Sequence, residues 1–145
     1  MRYEITTLMA GAALCHNLFD DAMREAGTPG EAFLFRESTY QALDRGDSFA
    51  LVAFDGDAVT GFVSVFISNA MHYDGKVASN DVIYVCPAYR NSLVAGKLIV
   101  LAEREAKRRG AKSFQWAANE LSPLDTTLSG RSSYRLFQKI FSKEL

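Results

Sequence analysis

The sequence predicts a mixed α/β (α+β) fold, a mostly antiparallel sheet with helices on both faces. Its 145 residues match a single domain of roughly 150 residues, so we expect residues 1–145 to form one domain. With 48% apolar and 12% aromatic residues, the chain can fill a core. Two central runs, residues 49–54 and 59–67, are rich in apolar residues, and the first is apolar at every position, which indicates a sheet that is covered on both faces.

The first third of the chain predicts one strand and two helices. Residues 2–8 are rich in β-branched and aromatic side chains, which favours a strand. Residues 10–26 have apolar positions at helical spacing, and the Gly-Thr-Pro-Gly tract at 27–30 ends that helix. Residues 33–44 predict a second helix, which ends before Gly46.

The middle third predicts a hairpin and a further strand. The runs at 49–54 and 59–67 flank Asp55-Gly56-Asp57, residues that supply the positive backbone angles of a tight turn. Residues 68–76 form a polar connection. Residues 77–85 then predict a strand, because a proline follows soon after.

The last third predicts a long helix at residues 91–109, ended by Gly110. A short strand is expected at 112–117. The tract Ser122-Pro123-Leu124-Asp125 has an N-cap serine and a proline at the first helical position, which predicts a short helix. Residues 136–141 predict a closing strand.

Composition excludes several classes of protein. A net charge of −1 gives no overall field that would attract nucleic acid or an anionic membrane, and we expect neither as a partner. Cys15 and Cys86 lack metal-ligand spacing, so no metal site and no disulfide is expected. No apolar run approaches the roughly 18 residues of a membrane span, and the polar N-terminus is unlike a signal peptide. We expect a cytoplasmic protein.

The most informative tract, residues 84–99, combines a strand end, a proline and a helix start. Such a start offers free backbone N–H groups. The first turns contain no acid, several small residues and two positive charges, Arg90 and Lys97. The tract therefore predicts a phosphate-binding loop. An ordinary strand-to-helix connection with an exposed arginine and lysine is an equally good interpretation of these residues alone.

The run Val85-Cys86-Pro87-Ala88-Tyr89-Arg90 and the helix after it resemble the acetyl-coenzyme A motif of the GNAT N-acetyltransferase family, Arg/Gln-x-x-Gly-x-Gly/Ala. Here the motif stands as Arg90-Asn91-Ser92-Leu93-Val94-Ala95, and Leu93 replaces the usual glycine. The order of the predicted elements resembles the family over nearly the whole chain. The ending Phe-Ser-Lys-Glu-Leu and the Ser-Pro-Leu-Asp tract resemble small phage-encoded members.

The resemblance implies acetyl-coenzyme A as co-substrate, no metal, and direct attack of a primary amine on the thioester. Family members insert the pantetheine arm between the fourth and fifth strands, and their loop amides bind the pyrophosphate. The implied cofactor-binding residues are Ile83, Tyr84, Val85, Arg90, Asn91, Ser92, Leu93, Val94, Ala95, Gly96, Lys97 and Asn119.

For the general base we select Asp81, which strand alternation places on the same face as Ile83 and Val85. A strand-end acid paired with a lysine or arginine is the competing interpretation, and Glu120 and His72 are lesser candidates.

For the general acid, the family uses a tyrosine in a Leu-Tyr-x-x-x-Gly-Phe context. In residues 128–134, Ser129 falls at the tyrosine position, and Tyr134 is the candidate acid. Core packing of Tyr134, with solvent as the acid, is the alternative.

The acceptor is expected to be a small-molecule or protein amine, and residues 27–35 and 68–76 are expected to rim its pocket. A homodimer is left open. One alternative function is an acyl-coenzyme A-binding module without turnover. Another is a nucleic-acid-binding domain acting through the basic run at 107–109, against which the near-neutral charge argues.

Overall fold

The computed structural model describes residues 1–26 and 36–145. Their helices and strands follow the predicted order closely. The elements are β1 (Arg2–Thr6), α1 (Leu8–Leu14), α2 (His16–Glu25), α3 (Glu37–Asp44), β2 (Phe49–Asp55), β3 (Ala58–Asn69), β4 (Lys76–Val85), a 3-10 turn (Pro87–Tyr89), α4 (Val94–Arg108), β5 (Ala111–Gln115) and α5 (Pro123–Ser129).

The five strands form one sheet in the order β1-β2-β3-β4-β5. The first four are antiparallel to their neighbours, and β5 runs parallel to β4. Helix α4 packs Leu98 and Ala102 on one face of the sheet, against Leu51 and Val63. Helices α1 to α3 cover the opposite face. The mixed, mostly antiparallel sheet with helices on both faces is therefore confirmed.

The hairpin between β2 and β3 is confirmed, and its turn depends on Gly56. This residue has a φ of 59°, a left-handed conformation that glycine adopts without strain. Every residue of β2 except Asp55 is buried. The apolar character of both faces is explained by this burial between two helical layers.

The prediction of one continuous helix at 10–26 is wrong, because the chain turns at Cys15 and forms two helices, α1 and α2. The Cys15 carbonyl accepts from the amide of Leu18 at 2.9 Å, and ψ at Cys15 is 14°. The turn keeps the Cys15 and Phe19 side chains buried together against the sheet. The predicted helix at 33–44 appears as α3, and its first three residues lie outside the described residues.

The closing strand predicted at 136–141 is also wrong. Residues 135–145 form neither helix nor strand, and within the described chain the last backbone hydrogen bond joins the Tyr134 amide to the Arg131 carbonyl. Leu136, Ile140 and Phe141 are exposed by 77%, 79% and 91%. A strand needs a pairing partner for its main-chain groups, and this segment has none within the described chain.

Candidate active site

Strands β4 and β5 separate after Ser79, and the side chain of Asn80 lies at the point of separation. Their parallel pairing runs from Lys76 to Ser79 on β4. Asn80 then donates from Nδ2 to the Ala117 carbonyl at 3.0 Å and accepts from the Ala117 amide at 2.7 Å. A buried side chain thus replaces the strand ladder, and β4 beyond it has an open edge. Sequence reasoning missed Asn80, although an asparagine within an apolar strand was a visible signal.

A β-bulge lies next to Asn80 and changes the direction of Asp81. The register pairs Asn80 with Val65 and Ile83 with Val63, so Asp81 and Val82 both lie opposite Ser64. The Ser64 hydroxyl accepts from the Val82 amide at 3.2 Å and bonds the Asp81 carboxylate. The expectation that Asp81 shares a face with Ile83 and Val85 is therefore wrong, because the extra residue reverses the alternation. Asp81 lies on the side of helices α1 to α3.

Asp81 reaches solvent, yet burial among protein atoms raises the pKa of its carboxyl. The hydrogen bond from Ser64 lowers this pKa and is the smaller effect. The charge of Asp81 also raises the pKa of Tyr40, which places these two side chains near each other. Asp81 therefore combines access to solvent with a raised pKa.

The main chain of β4 presents alternate residues to the open edge. Cys86 donates to the Thr60 carbonyl at 2.8 Å, which directs Cys86 and Tyr84 toward β3. Ile83 and Val85 consequently point their N–H and C=O groups away from β3. Of the three residues expected to hold a pantetheine arm, Ile83 offers both main-chain groups and Val85 offers its amide, because the Val85 carbonyl accepts from Arg90 Nε at 2.8 Å. The main chain of Tyr84 is paired within the sheet.

The N-terminus of α4 offers unpaired amides at the end of this edge. No side chain caps the helix at Leu93, and its first turn contains no acid. The amide of Val94 donates to the Ser92 hydroxyl at 3.3 Å. The amides of Ala95 and Gly96 have no hydrogen-bond partner among the described residues. Because these amides and the helix dipole favour an anion, the geometry fits a pyrophosphate.

Leu93 does not close this loop, although the family usually has glycine there. Its φ is −78°, which any residue adopts, and its side chain is 80% exposed. At Gly96, an added Cβ would meet nothing within 4 Å, so the first turn of α4 is open beside this residue. The helix itself starts at Val94 rather than at Asn91 as predicted, which leaves Asn91 and Ser92 in the exposed loop.

Arg90 binds protein groups on three sides. Its guanidinium pairs with Glu25 of α2 at 2.6 Å, donates from Nε to the Val85 carbonyl at 2.8 Å, and lies 5.3 Å from the centre of the Tyr84 ring. The hydrogen bond with Glu25 raises the pKa of Arg90. The structure therefore makes Arg90 a link between the loop, β4 and α2. Lys97, by contrast, is exposed on the first turn of α4.

The Tyr134 hydroxyl forms a hydrogen bond within the protein and is not free. It donates to Glu103 of α4, whose same oxygen accepts from the Trp116 indole at 2.9 Å. Burial, followed by the bond with Glu103, raises the pKa of Tyr134 to about 12. The hydroxyl therefore links Tyr134 to α4, whereas the side chain is only half-buried and does not belong to the core clusters of the described residues. Asn119 lies exposed in the loop after β5, where its carbonyl accepts from the Ser122 amide at 3.0 Å.

The lesser candidates do not join this group. His72 lies exposed in the turn between β3 and β4, and Glu120 is exposed after β5. Burial raises the pKa of the Cys86 thiol, so Cys86 is a poor nucleophile. The acceptor rim expected at 27–35 lies outside the described residues.

Within residues 1–26 and 36–145, no cluster of three or more histidine, cysteine, aspartate or glutamate side chains could hold a metal ion. In the same ranges, no helix combines the length and the apolar character needed to cross a bilayer.

Comparison with solved structures shows the same fold in two proteins described as acetyltransferases and in one described as a transcriptional regulator. An aminoglycoside acetyltransferase from an uncultured soil metagenomic sample superposes with a TM-score of 0.79 at 14% identity, over 99% of this chain and 95% of that chain. A ribosomal-protein-alanine N-acetyltransferase from Brucella melitensis biovar Abortus 2308 gives 0.73 at 17% identity and full coverage of both chains. A transcriptional regulator from Bacillus halodurans C-125 gives 0.66 at 16% identity, over 97% and 100% of the chains.

The comparison with curated proteins found no match. The family model of the acetyltransferase (GNAT) family matches residues 13–141, which include the split strands, the bulge and the loop before α4. Together with the fold, this match shows that the chain belongs to the GNAT acetyltransferase family and is an acyltransferase.

Proposed function

We propose that this protein transfers the acetyl group of acetyl-coenzyme A to a primary amine by direct attack. The observation that carries the proposal is the continuity of three features. The open edge of β4 at Ile83 and Val85 leads to the amides of Ala95 and Gly96, and Asp81 lies at the start of the same edge. The open edge would hold the pantetheine arm that carries the thioester, the amides would bind the diphosphate, and Asp81 would act as the base.

In the reaction that we propose, the amine nitrogen forms a bond to the thioester carbonyl carbon and the carbon–sulfur bond breaks. Asp81 takes the amine proton through water, because its raised pKa makes it a better base than an ordinary aspartate. The amide of Ile83 or Val85 polarises the carbonyl oxygen. The departing thiolate takes its proton from solvent, since the Tyr134 hydroxyl is already donated to Glu103.

The acceptor is an amine on a small molecule or a protein. Two relatives in fold are described as acting on aminoglycosides and on a ribosomal-protein alanine. Sisomicin and a peptide with an N-terminal alanine are therefore the first two acceptors to test, together with simple polyamines.

The experiment measures release of coenzyme A with this panel, and acetyl-coenzyme A binding by calorimetry. Asp81→Asn should lower kcat by about 100-fold with the cofactor Kd nearly unchanged. The kcat/KM of the wild type should fall on the acid side with an apparent pKa above 3.8, the ordinary value for aspartate. Asp57→Asn, in the hairpin turn, is the matched control. Equal activity of Asp81→Asn and wild type would remove Asp81 from the mechanism.

A second candidate is an acyl-coenzyme A-binding module without turnover. The hydrogen bond from Tyr134 to Glu103 favours this second function, because the candidate acid is then not available to protonate the thiolate. Cofactor binding with no release of coenzyme A on any amine of the panel would favour this second function. Absence of binding at millimolar acetyl-coenzyme A would contradict both.

A further inference from the structure

Ser64 is a polar residue in the buried middle of β3, directly opposite the β-bulge of β4. It is 2% exposed, and its neighbours in the chain, Val63 and Val65, are fully buried. The bulge places two residues of β4, Asp81 and Val82, opposite this one serine. A hydroxyl in such surroundings is costly unless its oxygen and its proton both have partners.

Both partners of the Ser64 hydroxyl come from the bulge. The Val82 amide donates to the hydroxyl oxygen at 3.2 Å. Because the amide is a donor, this contact leaves the hydroxyl proton for a different group, and that proton is donated to the Asp81 carboxylate. Ser64 thus joins the main chain of the bulge to the side chain of Asp81.

Tyr40 of α3 lies on the other side of the Asp81 carboxyl. Tyr40 packs in one cluster with Ala50, which pairs with Ser64 in the sheet, and with Phe66, which lies two residues along β3. The charge of Asp81 raises the pKa of Tyr40, so this tyrosine is a titratable group that faces the carboxyl. The apolar side chains around Ser64 leave the hydroxyl and the Tyr40 ring as neighbours of Asp81 on this face.

The acids on the helices of this face are engaged with other groups. Asp21 and Glu25 of α2 are each paired with an arginine. Asp44 of α3 accepts from two amides at the start of α1. For Asp81 itself, burial raises the pKa, and the hydrogen bond from Ser64 lowers it. The titration of Asp81 is therefore a direct measure of its bond to Ser64.

We propose that Ser64 is a positioning residue for Asp81. An aspartate side chain turns broadly about its terminal bond unless a partner fixes it. The Val82 amide fixes the Ser64 hydroxyl, which holds one oxygen of the Asp81 carboxylate and so sets the direction in which the other oxygen accepts a proton. The role of Ser64 in acetyl transfer rests on the proposed function, whereas its hold on the carboxylate does not.

The first experiment needs no acceptor and follows the Asp81 carboxyl carbon by NMR over a range of pH, in protein labelled with carbon-13. Comparison with the spectrum of Asp81→Asn identifies the signal. In Ser64→Ala the titration midpoint should move to higher pH, because the variant loses the hydrogen bond that stabilises the charged form. Ser64→Cys keeps a weak donor of similar size, and its midpoint should fall between those of the wild type and the alanine variant.

Ser48→Ala is the matched control for loss of a buried hydroxyl. Ser48 is 4% exposed, and its hydroxyl accepts from the Ile67 amide at 2.9 Å, outside the bulge. Both alanine variants should unfold at a lower urea concentration than the wild type, whereas the Asp81 midpoint should move in Ser64→Ala alone. An unchanged midpoint in Ser64→Ala would overturn the proposal and leave Ser64 with the role of stabilising the bulge.

The second experiment measures transfer, with an acceptor that the wild type uses. Ser64→Ala should lower kcat by about tenfold with the cofactor Kd nearly unchanged, because an unfixed carboxylate is less often in the productive orientation. The acid limb of kcat/KM should move to higher pH together with the NMR midpoint. A raised Kd with an unmoved acid limb would contradict the positioning role. The two failures are distinguishable, since a wild type without turnover contradicts acetyl transfer, whereas an unmoved Asp81 midpoint contradicts the role of Ser64.

Discussion

Asn80 bonds both main-chain groups of Ala117, at the point where β4 and β5 separate. The two distances are 2.7 Å to the amide and 3.0 Å to the carbonyl, and Asn80 is 9% exposed. The side chain therefore does two things. It satisfies the groups that the strand ladder leaves unpaired, and it holds the two strands apart at the width of a side chain.

Asn80→Ala should lower the free energy of unfolding by about 2 kcal/mol, because an amide and a carbonyl lose their partners. The same change should raise the Kd for acetyl-coenzyme A, since the open edge of β4 begins at this residue. Urea denaturation and calorimetry measure the two effects. Asn17→Ala, on the exposed side of α2, is the control. If Asn80→Ala were as stable as this control, the bridge would contribute nothing to the fold.

Leu93→Gly restores the family's usual residue in the phosphate loop. We expect the Kd for acetyl-coenzyme A to change by less than about threefold, because Leu93 already has an ordinary φ and is an acceptable N-cap position for glycine. Gly96→Val should instead weaken binding by about tenfold or more, since its side chain would fill the open space beside the first turn of α4.

Gly96→Val should leave the unfolding temperature nearly unchanged, because a Cβ at this position meets no atom within 4 Å. Binding is measured by calorimetry and stability by thermal denaturation. A large gain in affinity for Leu93→Gly would mean that the leucine side chain obstructs the loop after all.

Some features of this protein could be predicted from sequence because they depend on neighbouring residues. Gly56 sets the hairpin turn, and Ser122 caps α5 by accepting from the Asp125 amide at 3.2 Å. The loop before α4 could be predicted for the same reason. The face of Asp81 could not, because it depends on how β4 aligns with Ser64 on another strand. The role of Asn80 likewise depends on Ala117, which is 37 residues away.

The position of Tyr134 was also beyond sequence reasoning, because it depends on Glu103, which is 31 residues away in the chain. Tyr134→Phe removes the hydroxyl and leaves the ring. Since that hydroxyl donates to a carboxylate and its pKa is about 12, it is a poor acid at neutral pH. We expect kcat to fall by less than about threefold and the unfolding free energy to fall by about 1 kcal/mol.

Steady-state kinetics of coenzyme A release, followed with an acceptor that the wild type uses, measures the effect of Tyr134→Phe. Tyr73→Phe, in the exposed turn before β4, is the control for loss of a hydroxyl. A loss of kcat of about 100-fold would make Tyr134 the general acid and would contradict the role of solvent.

The stability of the fold should depend on pH through Glu105 of α4. This carboxylate is 6% exposed and lies between Arg108 at 2.6 Å and Arg109 at 2.7 Å. The hydrogen bond from Arg108 lowers the pKa of Glu105 from 4.5 to about 2. Because the folded-state pKa lies below the unfolded one, the contribution is complete above pH 4.5 and is lost as the pH falls toward 2.

Glu105→Gln should therefore lower the free energy of unfolding by about 2 kcal/mol at neutral pH, a figure that allows for the solvent exposure of Arg108. The difference from wild type should shrink steadily as the pH falls from 4.5 toward 2. Urea denaturation at a series of pH values measures it, with Glu37→Gln on the exposed face of α3 as control. A difference that stays constant over this range would mean that packing of the Glu105 side chain, rather than its charge, stabilises the end of α4.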